Sequence, residues 1–259
     1  MQAKKIIAVV NQKGGVGKTT TVVNLASGFI KNRKKVLLID LDPQGNATTG
    51  SGLEKNNLNG SIYDVLLGHK SINEVIVKGA KKLVYDIMPA NRSLTGAEIE
   101  LIDFERREYR LKDAILEVSK NYDVVLIDCP PSLSILTLNG LAAAEYLLVP
   151  MQCEYYALEG LTDLLNTVNL LKNNINPDLE LLGLIRTMYD KRNNLSLEVS
   201  SQLCQHFSNK VFKTYIPRNV RLAEAPSFGM SAVELDSHAH GAKAYMNLTQ
   251  EIIKRLKRI

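Results

Sequence analysis

Cysteine is scarce: Cys129, Cys153 and Cys204 are the only three in 259 residues. They are scattered and no C-x-x-C occurs, which excludes a disulfide framework and argues against an iron–sulfur or zinc site within one chain. Free cysteines of this kind read as small buried hydrophobes. No run is long and apolar enough to span a bilayer. The N-terminal stretch MQAKKIIAVV imitates the start of a secretory signal, with two lysines before an apolar run. It lacks a small-residue cleavage site and leads straight into a glycine loop, so it reads as a first buried strand of a cytoplasmic protein. Repeats, low-complexity tracts and a dividing linker are also missing. The expectation is a single domain over 1–259.

What is present is ordinary in amount and uneven in place. Apolar residues make up 45% and charged residues 23%, as in a globular chain that buries a sizeable core. The formal net charge is +5. Residues 181–259 hold 12 Lys/Arg and 6 Asp/Glu, a surplus of 12 − 6 = +6, whereas 1–180 hold 20 and 21, net −1. Such asymmetry suits a polyanion or an anionic membrane, although a solvated basic face is its commonest cause.

Short runs rich in Val, Ile and Leu recur at 6–11, 36–40, 83–88, 124–129, 146–151, 179–185 and 211–216. They show little polar alternation, as strands buried on both faces do. Segments with helical spacing lie between most of them, at 18–31, 106–119, 157–173 and 195–208, and 238–258 predicts a terminal helix. Residues 44–82 predict loops and short helices. Alternating strand and helix gives an α/β fold: a mainly parallel twisted sheet with helices on both faces.

The stretch GGVGKT, residues 14–19, follows the first strand run and opens a helix. Glycines there let backbone N–H groups approach phosphates, and the helix N-terminus adds positive partial charge. Lys18 can then reach β- and γ-phosphates, and the Thr19 hydroxyl can ligate Mg²⁺. The stretch LIDLDPQGN ends the second run with Asp40 and Asp42. Strand ends in such sheets face the ligand crevice. Asp40, nearer the strand, is expected to support the Mg²⁺ or the lysine network; a turn aspartate before Pro43 is the plainer alternative. VVLIDCPPS places Asp128 at another strand end, where it is expected to hold Mg²⁺ through a water.

The usual loop pattern has Gly where this chain has Lys13, giving K-G-G-V-G-K-T. This loop resembles the deviant Walker A family, which includes the ParA/Soj partition ATPases, the division-site ATPase MinD and the nitrogenase iron protein. The resemblance to the ParA/Soj members covers essentially the whole chain: QKGGVGKTTT, LIDLDPQGNAT, LIDCPPSL, PMQCEYYALEG, TMYDKRNNLS and YIPRNVRLAEAPSFG. It implies that Lys13 reaches across an ATP-sandwich homodimer to the partner's nucleotide. A second cation there would stabilise charge developing during phosphoryl transfer. It implies ATP and Mg²⁺ as cofactors, bound by Lys13, Gly14, Gly15, Val16, Gly17, Lys18, Thr19 and Thr20, with Pro217 and Asn219 on the adenine. Asp42 resembles the family's carboxylate that positions the attacking water. No Glu follows Asp128, so a Walker B glutamate base is missing and slow intrinsic turnover is expected. No N-terminal helix-turn-helix extension is expected, since the first strand begins at once.

The resemblance further implies that the ATP dimer binds double-stranded DNA without sequence preference, and that a ParB-like centromere-binding partner stimulates hydrolysis and releases it. The implied role is chromosome or plasmid partitioning in the nucleoid. Arg192, Arg218 and Arg221 are the candidate DNA contacts, because a guanidinium grips phosphate bidentately. An intrachain ion pair is the bland alternative for each. Arg186, a lone charge after an apolar run, is left open between a buried and a DNA-facing role. The tail EIIKRLKRI, 251–259, can place Ile252, Ile253, Leu256 and Ile259 on one face. That would suit a membrane surface, as in a MinD-like positioning ATPase, but more often such a face packs on the core. A nucleotide-switched regulator of replication initiation is the remaining alternative.

Overall fold

The computed structural model describes residues 5–80 and 83–258. The first four residues of MQAKKIIAVV, residues 81 and 82 of the 44–82 excursion, and Ile259 of the tail lie outside them. In chain order the elements are β1 (Lys5–Val9), α1 (Lys18–Lys31), β2 (Val36–Asp40), α2 (Asn46–Gly50), α3 (Ile62–Leu67), α4 (Ile72–Val75), β3 (Asp86–Met88), α5 (Leu94–Glu100), α6 (Arg110–Val118), β4 (Val124–Asp128) and α7 (Ile135–Ala143). There follow β5 (Tyr146–Gln152), α8 (Ala157–Asn174), β6 (Glu180–Thr187), α9 (Asn194–Phe207), α10 (Val220–Glu224), α11 (Ala232–Leu235) and α12 (His240–Leu256).

The strands form one parallel sheet in the order β3-β2-β4-β1-β5-β6. Its strands are continuous apolar runs because both faces are covered. In β1, Ile6 and Ala8 point into one core, and Ile7 and Val9 into the other. The second core is closed by α1 and α12. Val22, Leu25, Ala26 and Phe29, at helical spacing, are all buried in it. Full burial of a side chain such as Leu25 or Phe29 contributes about 1.5–3 kcal/mol.

The α/β fold and the sheet match expectation, with one correction. Residues 211–216 are not a strand. They run beside β6 without forming a ladder: isolated bridges pair Leu184 with Val211 and, just beyond both segments, Tyr189 with Pro217, and the N–H groups of Phe212 and Ile216 donate to the carbonyls of Leu184 (3.0 Å) and Arg186 (2.8 Å). Side chains take the backbone groups that a ladder would use. Arg186 donates to the carbonyls of Phe212 (2.9 Å) and Lys213 (3.0 Å). The Glu251 carboxylate accepts from the N–H groups of Lys213 (2.8 Å) and Thr214 (3.0 Å). Arg186 is thereby placed: it also donates to Ser200 Oγ and lies against the rings of Tyr189 and Tyr215. The tail is placed as well. Ile252 is fully buried, Ile253 and Leu256 pack on the second core, and Arg255 stacks on Phe212 at 3.9 Å.

Candidate functional site

Strand register brings the chemistry together. Asp128, at the end of β4, lies opposite Val9, the last residue of β1, and opposite Asp40, the last residue of β2. The loop that leaves β1 therefore sits directly beside two carboxylates.

The loop's shape follows from its glycines. Gly15 (φ +75°) and Gly17 (φ +87°) occupy the left-handed region, which a side chain adopts only with strain. A Cβ at Gly14 or Gly15 would meet nothing within 4 Å, so the loop faces open space. Gly17 caps α1, whose first turn leaves its N–H groups without helical acceptors. Asn11 fixes the start of the loop: its amide donates to the Pro150 carbonyl and accepts from the Lys13 N–H. Thr187, at the end of β6, donates from Oγ1 to the Val16 carbonyl at 2.8 Å.

Lys18 is buried, and its Nζ donates to the Lys13 carbonyl at 3.2 Å. Burial lowers its pKa, and the charges of Asp128 and Asp42 pull it part of the way back. Asp128 is the reverse case. Both its carboxylate oxygens are buried without a hydrogen-bond partner. Burial, and then the charge of Asp40, push its pKa well above the usual carboxylate range; the neighbouring Thr19 hydroxyl and the charge of Lys18 oppose this. An uncompensated buried carboxylate beside Thr19 is a fit for a cation or its bound water.

Asp40, expected to support the Mg²⁺ or the lysine network, is held by the turn that follows it. Its Oδ2 accepts from the Thr48 N–H (2.8 Å) and Oγ1 (2.7 Å), and its Oδ1 from the Asp42 N–H (3.2 Å). Burial raises its pKa to about 6 against these hydrogen bonds. Asp40 thus anchors the turn that carries Asp42. Asp42 itself is buried and accepts from the Gln44 N–H, with its charge acting on Lys18.

Lys13 points away from its own loop. Its ammonium pairs with Glu154, which follows β5, and the two side chains remain half exposed. Thr20, Pro217 and Asn219 meet in a cavity of about 260 Å³, closed by Met188, Leu222 and Tyr245. Asn219 Oδ1 is itself buried with no donor, against Gly241 at the start of α12. Glu154, Thr187 and Met188 were not singled out from the sequence. Glu154 lies within PMQCEYYALEG, and Thr187 and Met188 open TMYDKRNNLS, so those motifs held the signal; only the docking of β6 shows what Thr187 and Met188 touch.

The three candidate arginines do not form one patch of equal cations. Arg192 and Arg218 line a groove of about 1140 Å³. Arg192 is gripped by Asp190, and Arg221 pairs instead with Glu224 and Asp236.

Comparison with known proteins fits this geometry. A family described as an AAA domain matches residues 4–181. The sporulation initiation inhibitor protein Soj of Bacillus subtilis is 49% identical over 96% of this chain and 98% of its own length. The chromosome partitioning protein ParA of Myxococcus xanthus is 46% identical, over 97% of this chain and 88% of its own. Among solved structures, a cobyrinic acid a,c-diamide synthase of Mycobacterium smegmatis, with bound ATP analog and magnesium, superposes with a TM-score of 0.86. It is 37% identical, and the match covers 98% of this chain and 96% of that one. The cell division ATPase MinD of Pyrococcus furiosus shares the fold at a TM-score of 0.79 and 23% identity, over 97% of this chain and 99% of its own. On its phosphate loop, its strand-end aspartates and relatives matched along nearly their full length, the chain belongs to the ParA/Soj family of chromosome-partitioning P-loop ATPases.

Proposed function

We propose that this chain is an ATP-driven DNA-segregation ATPase. The observation that carries the nucleotide half is Asp128: a buried, unpartnered carboxylate beside Thr19 and within the electrostatic reach of Lys18. The names of its relatives support the partitioning role.

Residues Lys13 to Thr20 cradle the phosphates of ATP, and Lys18 supplies a desolvated cation to the β- and γ-phosphates. Thr19 and Asp128 hold Mg²⁺, with Asp40 orienting the turn behind them. Bound Mg²⁺ would supply positive charge at the transferring phosphoryl group. Pro217 and Asn219 contact the adenine, with the Asn219 amide at the base edge. Asp42 orients the attacking water. With no glutamate after Asp128, intrinsic turnover is slow, below roughly 1 s⁻¹.

Lys13 leaves Glu154 and reaches the nucleotide of a second copy, which links ATP binding to dimerisation. The dimer binds double-stranded DNA through its basic C-terminal third, by phosphate contacts that carry no base information. A ParB-like partner stimulates hydrolysis and the monomers release DNA in the nucleoid. A membrane role is disfavoured by the tail, whose Ile252 is consumed by the core. Sedimentation of wild type, Lys13→Ala and Asp42→Ala with ATP tests this reading. A stable ATP dimer in Asp42→Ala and none in Lys13→Ala supports it; dimers that ignore both ATP and Lys13 would sink it.

A further inference from the structure

The large groove has two walls of different origin. One is the segment 214–219, and Pro217, Arg218 and Asn219 line both this groove and the adenine cavity behind it. The other is α12, which presents His240, Lys243 and Asn247, spaced i, i+3 and i+7 and all exposed. Its opposite face, with Ala242, Tyr245 and Leu248, is buried in the core, so the helix is a rigid wall.

The cations in this groove are unequal. Arg192 is 91% exposed, yet it is held by Asp190 through a fork: Nε to Oδ1 at 3.0 Å and Nη2 to Oδ2 at 2.9 Å, with the Arg192 N–H also on Oδ1. Arg192 first, and Arg218 by charge alone, hold the Asp190 acid down at about 2, so Asp190 stays ionised throughout the working range. Arg218 and Lys243 show no side-chain hydrogen bond or ion pair among the described residues. Two cations without a side-chain hydrogen bond or ion pair among the described residues thus line one groove from its two walls, with a hydroxyl from Thr214 and an amide from Asn247 on those same walls. A nucleic-acid backbone asks for that mixture of cations and neutral donors.

We propose that this groove tracks the DNA backbone, with Lys243 of α12 and Arg218 as its principal phosphate contacts and Asp190 as an internal competitor that holds Arg192 until a phosphate displaces it. The inference rests on the DNA-binding reading above and adds α12 to it. It also gives a physical route from nucleotide to DNA. Adenine packing against Pro217 and Asn219 fixes the strand of chain that carries Arg218.

The test is a salt titration of binding to an arbitrary duplex by the full chain with ATP. Each phosphate contact adds about −0.9 to the slope of log K against log salt. Lys243→Ala and Arg218→Ala should each flatten the slope by about one, and Lys243→Arg should restore it. Asp190→Asn should bind more tightly than wild type at low salt. Thermal midpoints confirm that each variant is folded. If wild type binds and Lys243→Ala matches it in slope and affinity, the groove assignment is wrong while the DNA reading stands. Weaker binding by Asp190→Asn overturns the competitor role. If wild type binds no duplex in any nucleotide state, both readings fall.

Discussion

Thr187 Oγ1 donates to the Val16 carbonyl at 2.8 Å, which bolts the end of β6 to the phosphate loop across 171 residues of chain. The next residue, Met188, lines the cavity proposed for adenine in a left-handed conformation (φ +49°). One hydrogen bond therefore ties the glycine loop to the cavity proposed for the base. Thr187→Val keeps the shape and removes the donor. A lost hydrogen bond of this kind costs about 1 kcal/mol, so ATP should bind about fivefold more weakly by calorimetry. Unchanged affinity would mean that the loop holds its form alone.

Lys13 and Glu154 pair within one chain, and Lys13 must leave that pair to reach a second copy. A half-exposed ion pair is worth up to about 1 kcal/mol, so its removal can shift an equilibrium by up to about fivefold. Glu154→Gln is expected to raise the dimer fraction at limiting ATP, read by light scattering after gel filtration. A lower fraction would assign Glu154 to the interface itself.

Asp128 is a carboxylate without a partner, so Asp128→Asn should stabilise the nucleotide-free protein while abolishing the extra stabilisation by ATP with Mg²⁺ over ATP alone. Each 1 kcal/mol corresponds to about 2–4 °C in a chain of this size. Paired thermal melts with and without Mg²⁺ read both effects. A destabilised apo variant would show that the carboxylate has a structural partner.

The neighbouring Asp40 adds a pH dependence of definite sign. Its acid is raised in the fold from 3.8 to about 6, so the native state binds the proton more tightly than the unfolded chain. The associated stabilisation is fully present below pH 3.8, and it is lost as pH rises through about 6. Asp40→Asn should flatten the apo stability profile across that window, measured by urea titration at several pH values. An identical slope in the variant would assign the dependence to another group.

Asn219 lines the cavity where adenine is proposed to lie, and its amide is the polar side chain that Pro217 and Met188 leave for the base edge. Adenine carries an amine at the position where guanine carries a carbonyl oxygen. Asn219→Leu should weaken ATP by roughly tenfold and reduce its advantage over GTP, because discrimination rests on a polar group that one ligand satisfies. An ATP/GTP ratio that survives the substitution would place base recognition on main-chain groups instead.

Local signals served the reading where the chemistry is local. Lys18–Lys31 opens at a glycine, carries apolar residues at helical spacing, and forms as expected. Asp40 and Asp128 end apolar strands, and parallel pairing sets them side by side. What could not be read is what depends on distant chain. Residues 211–216 have a strand's composition, but Arg186 and Glu251 take their backbone groups. Arg192 looks like a free cation until Asp190, two residues away, is seen folding back onto it. Lys243 carries no motif at all, and only the docking of α12 beside 214–219 brings it to the groove.

The measurement that bears most directly on the account is binding of an arbitrary duplex to wild type and Asp42→Ala, each with ATP, ADP and no nucleotide, at two salt concentrations. The account predicts binding with ATP alone, weakened by salt and retained in Asp42→Ala, because hydrolysis ends the bound state and is not needed to reach it. Equal binding in all three nucleotide states, or ATP-dependent dimers with no affinity for DNA, would contradict it.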